Sequence, residues 1–157
     1  MRAATRVLIA VSVVGALAIT AAAQAPKGLE GTWKLNPAKS KFDPGPAPRD
    51  ATLTYALSGD SLKVVAHQTP AEGAAQHWEM TVKYDGKDYP VTGNPIADTV
   101  TVKKIGDLKS ESTFKKAGKV TAVTTRTLSA DGKTLTIESK GTDEKGRPSH
   151  NIQIFER

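Results

Sequence analysis

The chain has 157 residues, no cysteine, and 22 lysine and arginine residues against 16 aspartate and glutamate residues, a formal net charge of +6. The lack of cysteine excludes disulfides and every metal or redox site that is built on thiolates. The basic residues are spread along the chain and form no cluster, so the positive charge does not indicate a nucleic-acid-binding surface.

The N-terminal residues have the composition of a secretory signal peptide. Arg2 and Arg6 give a positive start, residues 7–19 are almost all apolar, and the small residues AAAQA follow. The apolar run is too short for a stable transmembrane helix. We expect cleavage after Ala23. Cleavage after Ala25 is the alternative, although a proline would then stand first, and an uncleaved anchor is a further alternative. The sequence therefore predicts export to the periplasm or the extracellular space.

Cleavage after Ala23 leaves 134 of the 157 residues, with 20 basic against 16 acidic side chains. This length predicts one domain over residues 24–157, large enough for a single hydrophobic core. No disulfide can constrain the unfolded chain, so the fold must be held by core packing alone. We expect a monomer with no membrane span after removal of residues 1–23.

Most of the mature chain alternates apolar and polar residues with period two, and turn residues recur every eight to twelve positions or so. This pattern is typical of an antiparallel meander, and no segment shows a helical period. One loop, residues 43–48, is rich in proline and should be stiff and extended. The predicted strands cover residues 30–36, 51–57, 62–68, 76–84, 87–92, 99–105, 108–115, 119–128, 134–142 and 149–156.

The hairpin loops place apolar residues of neighbouring strands opposite one another. This agreement is informative, because a one-residue slip would turn a whole strand face outward. Asp85-Gly86 predicts a type I′ turn. Near Lys103 and Lys104 the apolar residues change parity, which predicts a β-bulge. The predicted cross-strand pairs include Tyr55–Val64, Ala66–Trp78, Val82–Tyr89, Phe114–Val120, Ser110–Thr124, Thr124–Ser139, Arg126–Ile137 and Ile137–Ile154.

Short sequential strands with one apolar face must bury that face. The economical solution is an all-β, up-and-down barrel of about eight to ten strands, with the first and last strands paired and no substantial helix. A two-sheet sandwich is the alternative, but it usually needs long Greek-key connections, whereas every loop here is short.

The segment GTWKLN at residues 31–36, followed by a meander, resembles the lipocalin-like (calycin) barrels, whose first strand carries Gly-x-Trp. The mature region is similar to small exported bacterial lipocalin-like proteins without an assigned activity. The resemblance implies that Trp33 closes one end of the barrel beneath an arginine from a late strand, for which Arg126 is the candidate. It also implies binding of apolar ligands, which is an inference from fold alone.

Two features depart from the lipocalin pattern: no helix follows the last strand, and the strand number is nearer ten than eight. We interpret the proline-rich loop 43–48 as a stiff connector across the Trp33 end, in place of that helix. Arg126 has a second interpretation, as a pocket residue that binds a carboxylate head group.

Residues that alternate inward predict a pocket with one polar wall. Buried hydroxyl groups need hydrogen-bond partners, which water or a ligand would supply; alternatively these groups lie at an open rim and meet solvent. If the pocket opens at residues 88–99, Tyr89 is the candidate gate. The candidate ligand-binding residues are Tyr55, Trp78, Met80, Tyr89, Phe114, Ser110, Thr124, Ser139 and His150.

The sequence gives little support for a metal site or a catalytic site. His67 and His77 are predicted to be cross-strand neighbours on the outer face, with only Glu79 near them in sequence, whereas a structural zinc site needs four ligands. We therefore predict no metal and no cofactor. The chain lacks the Gly-x-Ser-x-Gly, His-Glu-x-x-His and phosphate-loop motifs. A serine paired with His150 stays open as a catalytic alternative.

These observations predict a non-catalytic, exported β-barrel that holds a small apolar or amphiphilic molecule. The alternative is a structural or interaction protein whose barrel is packed solid, and a small periplasmic enzyme is a more distant third.

Overall fold

Ten antiparallel strands close into a barrel in the computed structural model, which describes residues 24–157. Each strand pairs with its neighbours in sequence, and the first pairs with the last, which confirms the up-and-down barrel. The predicted signal peptide, residues 1–23, lies outside the described residues. The strands are β1 (Gly31–Leu35), β2 (Asp50–Ser58), β3 (Ser61–Thr69), β4 (Gln76–Val82), β5 (Tyr89–Thr92), β6 (Thr99–Gly106), β7 (Lys109–Lys116), β8 (Lys119–Leu128), β9 (Thr134–Thr142) and β10 (Pro148–Glu156).

A single 3₁₀ turn, Pro37–Lys39, is the helical element of the described chain. It begins at Asn36, whose side chain accepts a hydrogen bond from the Lys39 amide, and Pro37 suits the first position of a helix. Within residues 24–157 no helix is long and apolar enough to cross a membrane.

The pairings of β2, β3 and β4 are the predicted ones. Tyr55 lies opposite Val64, and Ala66 lies opposite Trp78. The alternate residues of β2 and β3 are buried because their apolar side chains all face the barrel interior. The pairing of β8 with β9, which sets Arg126 opposite Ile137, is also confirmed.

The register of β7 and β8 differs from the prediction. A two-residue turn joins them, with Ala117 and Gly118 at φ of 48° and 77°. A register shift then follows beside Phe114, so that Phe114 faces Ala122, while Val120 is 60% exposed. The predicted Phe114–Val120 pair is therefore wrong. The reason is that a non-glycine residue adopts the left-handed conformation, which sequence alone rarely predicts.

The same shift moves the serines of β7. Ser110 lies opposite Arg126, and Ser112 takes the predicted place opposite Thr124. Thr124 does face Ser139, as predicted.

The predicted register of β9 and β10 is wrong by one residue. Ile137 faces Gln153, where Ile154 was predicted. The connecting loop is shorter than expected, because the Asp143 carboxylate accepts hydrogen bonds from the Lys145 and Arg147 amides and closes the turn. This slip turns β10 over, so its other set of side chains, with Phe155 only 2% exposed, faces the core.

Of two further predictions, the type I′ turn between β4 and β5 is wrong, whereas the irregularity in β6 is present. In the β4–β5 loop only Gly86 has a positive φ, and the Asp85 side chain accepts from the Lys87 amide, so the type I′ turn is wrong. The β6–β7 ladder does shift register, between Lys104 and Gly106, one residue beyond the predicted bulge.

The closed end of the barrel is the end at which β1 begins and β10 ends. Trp33 is fully buried there, and its indole nitrogen donates to the Leu29 carbonyl at 2.9 Å. The cation over its ring is Arg157, with the guanidinium carbon 4.4 Å from the ring centroid. Trp33 therefore has the predicted place, but the predicted partner Arg126 is wrong.

The opposite end, at which β2 begins and β3 ends, carries the proline-rich loop. Its start is held by β10, through the Asp43 carbonyl and the His150 amide, and its finish by β3, through the Arg49 amide and the Thr69 carbonyl. The loop therefore does not cross the Trp33 end, where Leu29 and Arg157 contact Trp33 instead. We call this second end the cavity end.

Candidate functional site

A cavity of about 200 Å³ lies inside the barrel and extends to the cavity end. The described interior is therefore not filled by side chains alone. Five of the predicted ligand-binding residues, Tyr55, Trp78, Phe114, Thr124 and Ser139, line it. The other lining residues are Ala51, Thr52, Leu53, Ala66, His67, Gln68, Asn94, Ile96, Ala122, Arg126, Ile137, Gln153 and Phe155.

Arg126 is the charged residue of this wall. It is only 5% exposed, and β8 points it inward beside Tyr55, whose ring centroid lies 5.3 Å from the guanidinium carbon. Its Nη1 donates to Ser110 Oγ at 3.3 Å, and its Nε has no hydrogen-bond partner within residues 24–157. None of the ion pairs among the described residues includes Arg126.

The electrostatics of Arg126 depend on two tyrosines. Burial disfavours the charged guanidinium, but the neighbouring Tyr55 and Tyr84 outweigh it and raise the pKa of Arg126 above its ordinary value. Arginine therefore stays protonated here, as it does in proteins generally. Burial also raises the pKa of Tyr55, although Arg126 opposes that shift, so Tyr55 stays neutral at physiological pH.

Within residues 24–157, four buried side-chain atoms have no hydrogen-bond partner. They are the hydroxyl groups of Tyr55, Tyr84 and Ser112, together with Arg126 Nε. An unsatisfied buried donor costs about 1–3 kcal/mol. Tyr55 and Arg126 both line the cavity. A hydroxyl group and a guanidinium can donate to the same anion, so an acceptor in the cavity, best a negatively charged one, would suit both.

The hydroxyl pair Thr124–Ser139 forms part of the cavity wall. Thr124 Oγ1 donates to Ser139 Oγ at 3.1 Å, and both line the cavity. Ser110 does not join this row; it is buried against Arg126 and outside the cavity lining. It can therefore position the guanidinium without touching a ligand.

Three other candidate ligand-binding residues do not reach the cavity. Met80 is buried in the core, 3% exposed, without lining it. Tyr89 donates to the Asp85 carboxylate at 2.7 Å, and this bond raises the pKa of Tyr89 to about 12. His150 is exposed on the outer surface, 2.8 Å from Glu138, because β10 has the other register. Tyr89 lies beside the β4–β5 loop at the closed end and does not gate the cavity.

The histidine pair has the predicted position. His67 and His77 are cross-strand partners on the outer face, with their Nδ1 atoms 3.4 Å apart. His67 also borders the cavity, at the cavity end of the barrel. The Glu79 carboxylate forms an ion pair with Lys63, with Nζ and Oε2 3.2 Å apart. Among the described residues, no group of three or more histidine, aspartate or glutamate side chains is arranged to hold a metal ion.

Sequence reasoning missed part of the cavity wall. Gln153 was assigned to the outer face by the slipped β10 register, and Asn94 and Ile96 belong to the loop that follows β5. Gly93 is the sequence feature that could have indicated the position of this loop. Any side chain there would collide with the His77 carbonyl, so glycine lets the loop pass close to β4 at the cavity end.

No family model matches the chain, and no curated protein matches it.

Proposed function

We propose that this protein is a non-catalytic binding protein for a small amphiphilic molecule with an acidic head group, and that the head group binds Arg126. The observation that carries the proposal is a permanently charged, 5%-exposed arginine on a cavity wall, without an acidic partner among the described residues. The closed barrel supplies the rigid frame that such a site needs.

A buried cation without a counter-ion is costly, and truncated charge pairs show penalties of several kcal/mol. A carboxylate would neutralise Arg126, and the guanidinium fork can meet its two oxygens in parallel hydrogen bonds. The Tyr55 hydroxyl, which has no partner, can donate to the same group. The head group would thus satisfy two atoms, Arg126 Nε and the Tyr55 hydroxyl, that have no partner within residues 24–157.

The rest of the cavity wall suits an apolar chain. Trp78 and Phe114 meet edge to face, with ring centroids 6.4 Å apart, and both border the cavity. Leu53, Ile96 and Phe155 also line it. Burial of an apolar ligand against such surfaces gains about 25 cal/mol for each Å² removed from water.

The alternative, a structural or interaction protein with a solid barrel, has less support, because a 200 Å³ cavity remains inside the described barrel. Membership of the lipocalin-like group and export from the cell complete the proposal. The first is supported by the ten-strand barrel with a buried Trp33 at one end. The second is supported by the composition of residues 1–23.

Calorimetric titration of the mature protein with dodecanoate and with dodecanol tests the proposal. Wild type should bind the carboxylate, and Arg126→Met, which keeps length and apolar character, should weaken it about tenfold to hundredfold. The alcohol should bind both proteins with similar affinity. Equal carboxylate binding by wild type and Arg126→Met, or no binding by wild type, would contradict the proposal.

A further inference from the structure

We propose that the ligand enters through a seam between β2 and β10, and that its distal part lies in a proline-lined cleft outside the barrel cavity. This inference rests on the proposed function and specifies the ligand: an elongated acidic amphiphile whose chain passes between Gln68 and Gln153.

The seam exists because β1 is short. Its last pair with β2 is Lys34–Thr52, so Asp50 and Ala51 pair only with β3. Beyond β1 the chain follows the edge of β10, where Lys41 and Ile152 exchange backbone hydrogen bonds of 2.7 and 2.8 Å. At the cavity end, residues beyond β1 thus pair with the edge of β10. The facing edge of β2, at Asp50 and Ala51, has no ladder partner among the described residues.

Prolines keep the seam from closing. Residues 44–48 bridge from the β10 side to the β2 side, and Pro44, Pro46 and Pro48 occupy alternate positions. Proline has no amide hydrogen and therefore cannot complete a strand ladder with β2. All three prolines line the cleft.

The cleft and the barrel cavity share a boundary. The cleft has a volume of about 370 Å³, and Gln68 and Gln153 line both spaces. Gln153 stands on β10, at one side of the seam, and Gln68 stands on β3, directly opposite Ala51 of β2 at the other side. These glutamines therefore form the junction through which a chain would pass.

The volumes favour a ligand that occupies both spaces. A cavity of about 150 Å³ accepts a molecule of the size of benzene, so the 200 Å³ barrel cavity alone holds a head group and a short chain. Small-molecule sites usually measure about 300–1,000 Å³. With the 370 Å³ cleft added, the space enters that range.

The cleft also differs in chemistry from the cavity. Its walls combine proline rings with polar side chains such as Glu72, Lys145 and Asn151. A distal chain would pack on the prolines while polar substituents reached solvent. The junction therefore sets which chain lengths the ligand can have, and the cleft tolerates different groups at the distal end of that chain.

A chain-length comparison tests the junction. Wild type, Gln68→Trp and the matched control Gln76→Trp are titrated with octanoate and hexadecanoate. Gln76 is the ladder partner of Gln68 and lines neither space. In Gln68→Trp the long acid should weaken about tenfold or more, because its extra methylenes lose their contacts. Octanoate should weaken less than the long acid, because only the long chain passes the junction, and Gln76→Trp should resemble wild type.

Gln153→Trp fills the junction from the other wall and should give the same result, which keeps the test valid if Gln68→Trp fails to fold. Equal effects on both acids, or no effect on either, overturn the inference and leave the proposed function standing. Failure of both acids to bind wild type overturns the two together. Arg126→Met separates the proposals further, since it should weaken both chain lengths.

Discussion

Two arginines of this barrel show how surroundings decide the role of one side chain. Arg157 gives Nε to the Gly132 carbonyl, Nη1 to that of Glu30 and Nη2 to that of Gly28, at 2.6–2.9 Å. Its donors are used by the protein itself, so its role is structural. Arg126 donates to Ser110, and its Nε has no partner among the described residues, so this donor is free for a ligand.

Arg157→Lys should lower the free energy of unfolding by about 1–3 kcal/mol. A lysine ammonium cannot reach three carbonyls from one position, and it lacks the planar group that stacks on Trp33. Urea unfolding followed by tryptophan fluorescence measures the change. Arg147→Lys is the control, since Arg147 forms an ion pair at the surface, and the change should stay within about 0.5 kcal/mol. Equal stability of both variants would remove the structural role.

The pairing of Trp33 with Arg126 failed for a geometric reason. Period-two alternation gives the side of the sheet, and Arg126 does face inward as predicted. Alternation does not give the position of a residue along the barrel axis, so it could not show whether Arg126 lies at the height of Trp33. Arg157 lies beyond the last predicted strand, so alternation did not predict on which side of the sheet it lies.

At the scale of elements, the registers that were predicted correctly belong to strands whose apolar residues lie mostly on one parity, such as β2 and β3. In β10 the sequence Ile152-Gln153-Ile154-Phe155 offers apolar residues on both parities. The register was then decided by the Asp143 turn and by pairing with the chain beyond β1. Both are contacts that alternation does not encode.

Gly141 shows where two strands come too close for a side chain. A Cβ there would lie 2.6 Å from Ala122 Cα, 2.8 Å from Ala122 Cβ, and against the Thr121 carbonyl. Gly141→Ala should therefore destabilise the protein by about 1–3 kcal/mol through overpacking. Because Ala122 lines the cavity, dodecanoate binding should weaken as well.

Gly106→Ala is the matched control for thermal and urea unfolding. Its Cβ would meet only Lys109 Cβ, at 3.4 Å, and its φ is not positive, so stability should stay within about 0.5 kcal/mol of wild type. If Gly141→Ala proved as stable as Gly106→Ala, β8 and β9 would have to be able to move apart at this point without cost.

At the scale of the whole molecule, alternation and short loops were sufficient to predict a closed barrel, because a chain of one-faced strands has few other ways to bury that face. The cavity depends instead on how side chains from opposite walls meet. The inward residues were numerous enough to suggest a filled interior, yet Ala51, Ala66 and Ala122 border empty space. A sequence does not encode that remaining volume in any local pattern.

Export is the property of the whole chain that the N-terminal sequence predicts. Expressed from residue 1 in a bacterium with a secretion pathway, the protein should be recovered from the periplasm or medium beginning at Gln24, as intact mass would show. Cleavage after Ala23 requires a small residue at 21, whereas the alternative cut requires one at 25. Ala21→Phe should therefore block maturation, and Ala25→Phe should leave it unchanged. The reverse pattern would assign the cut to Ala25, and an unprocessed mass in wild type would contradict export by a cleaved signal peptide.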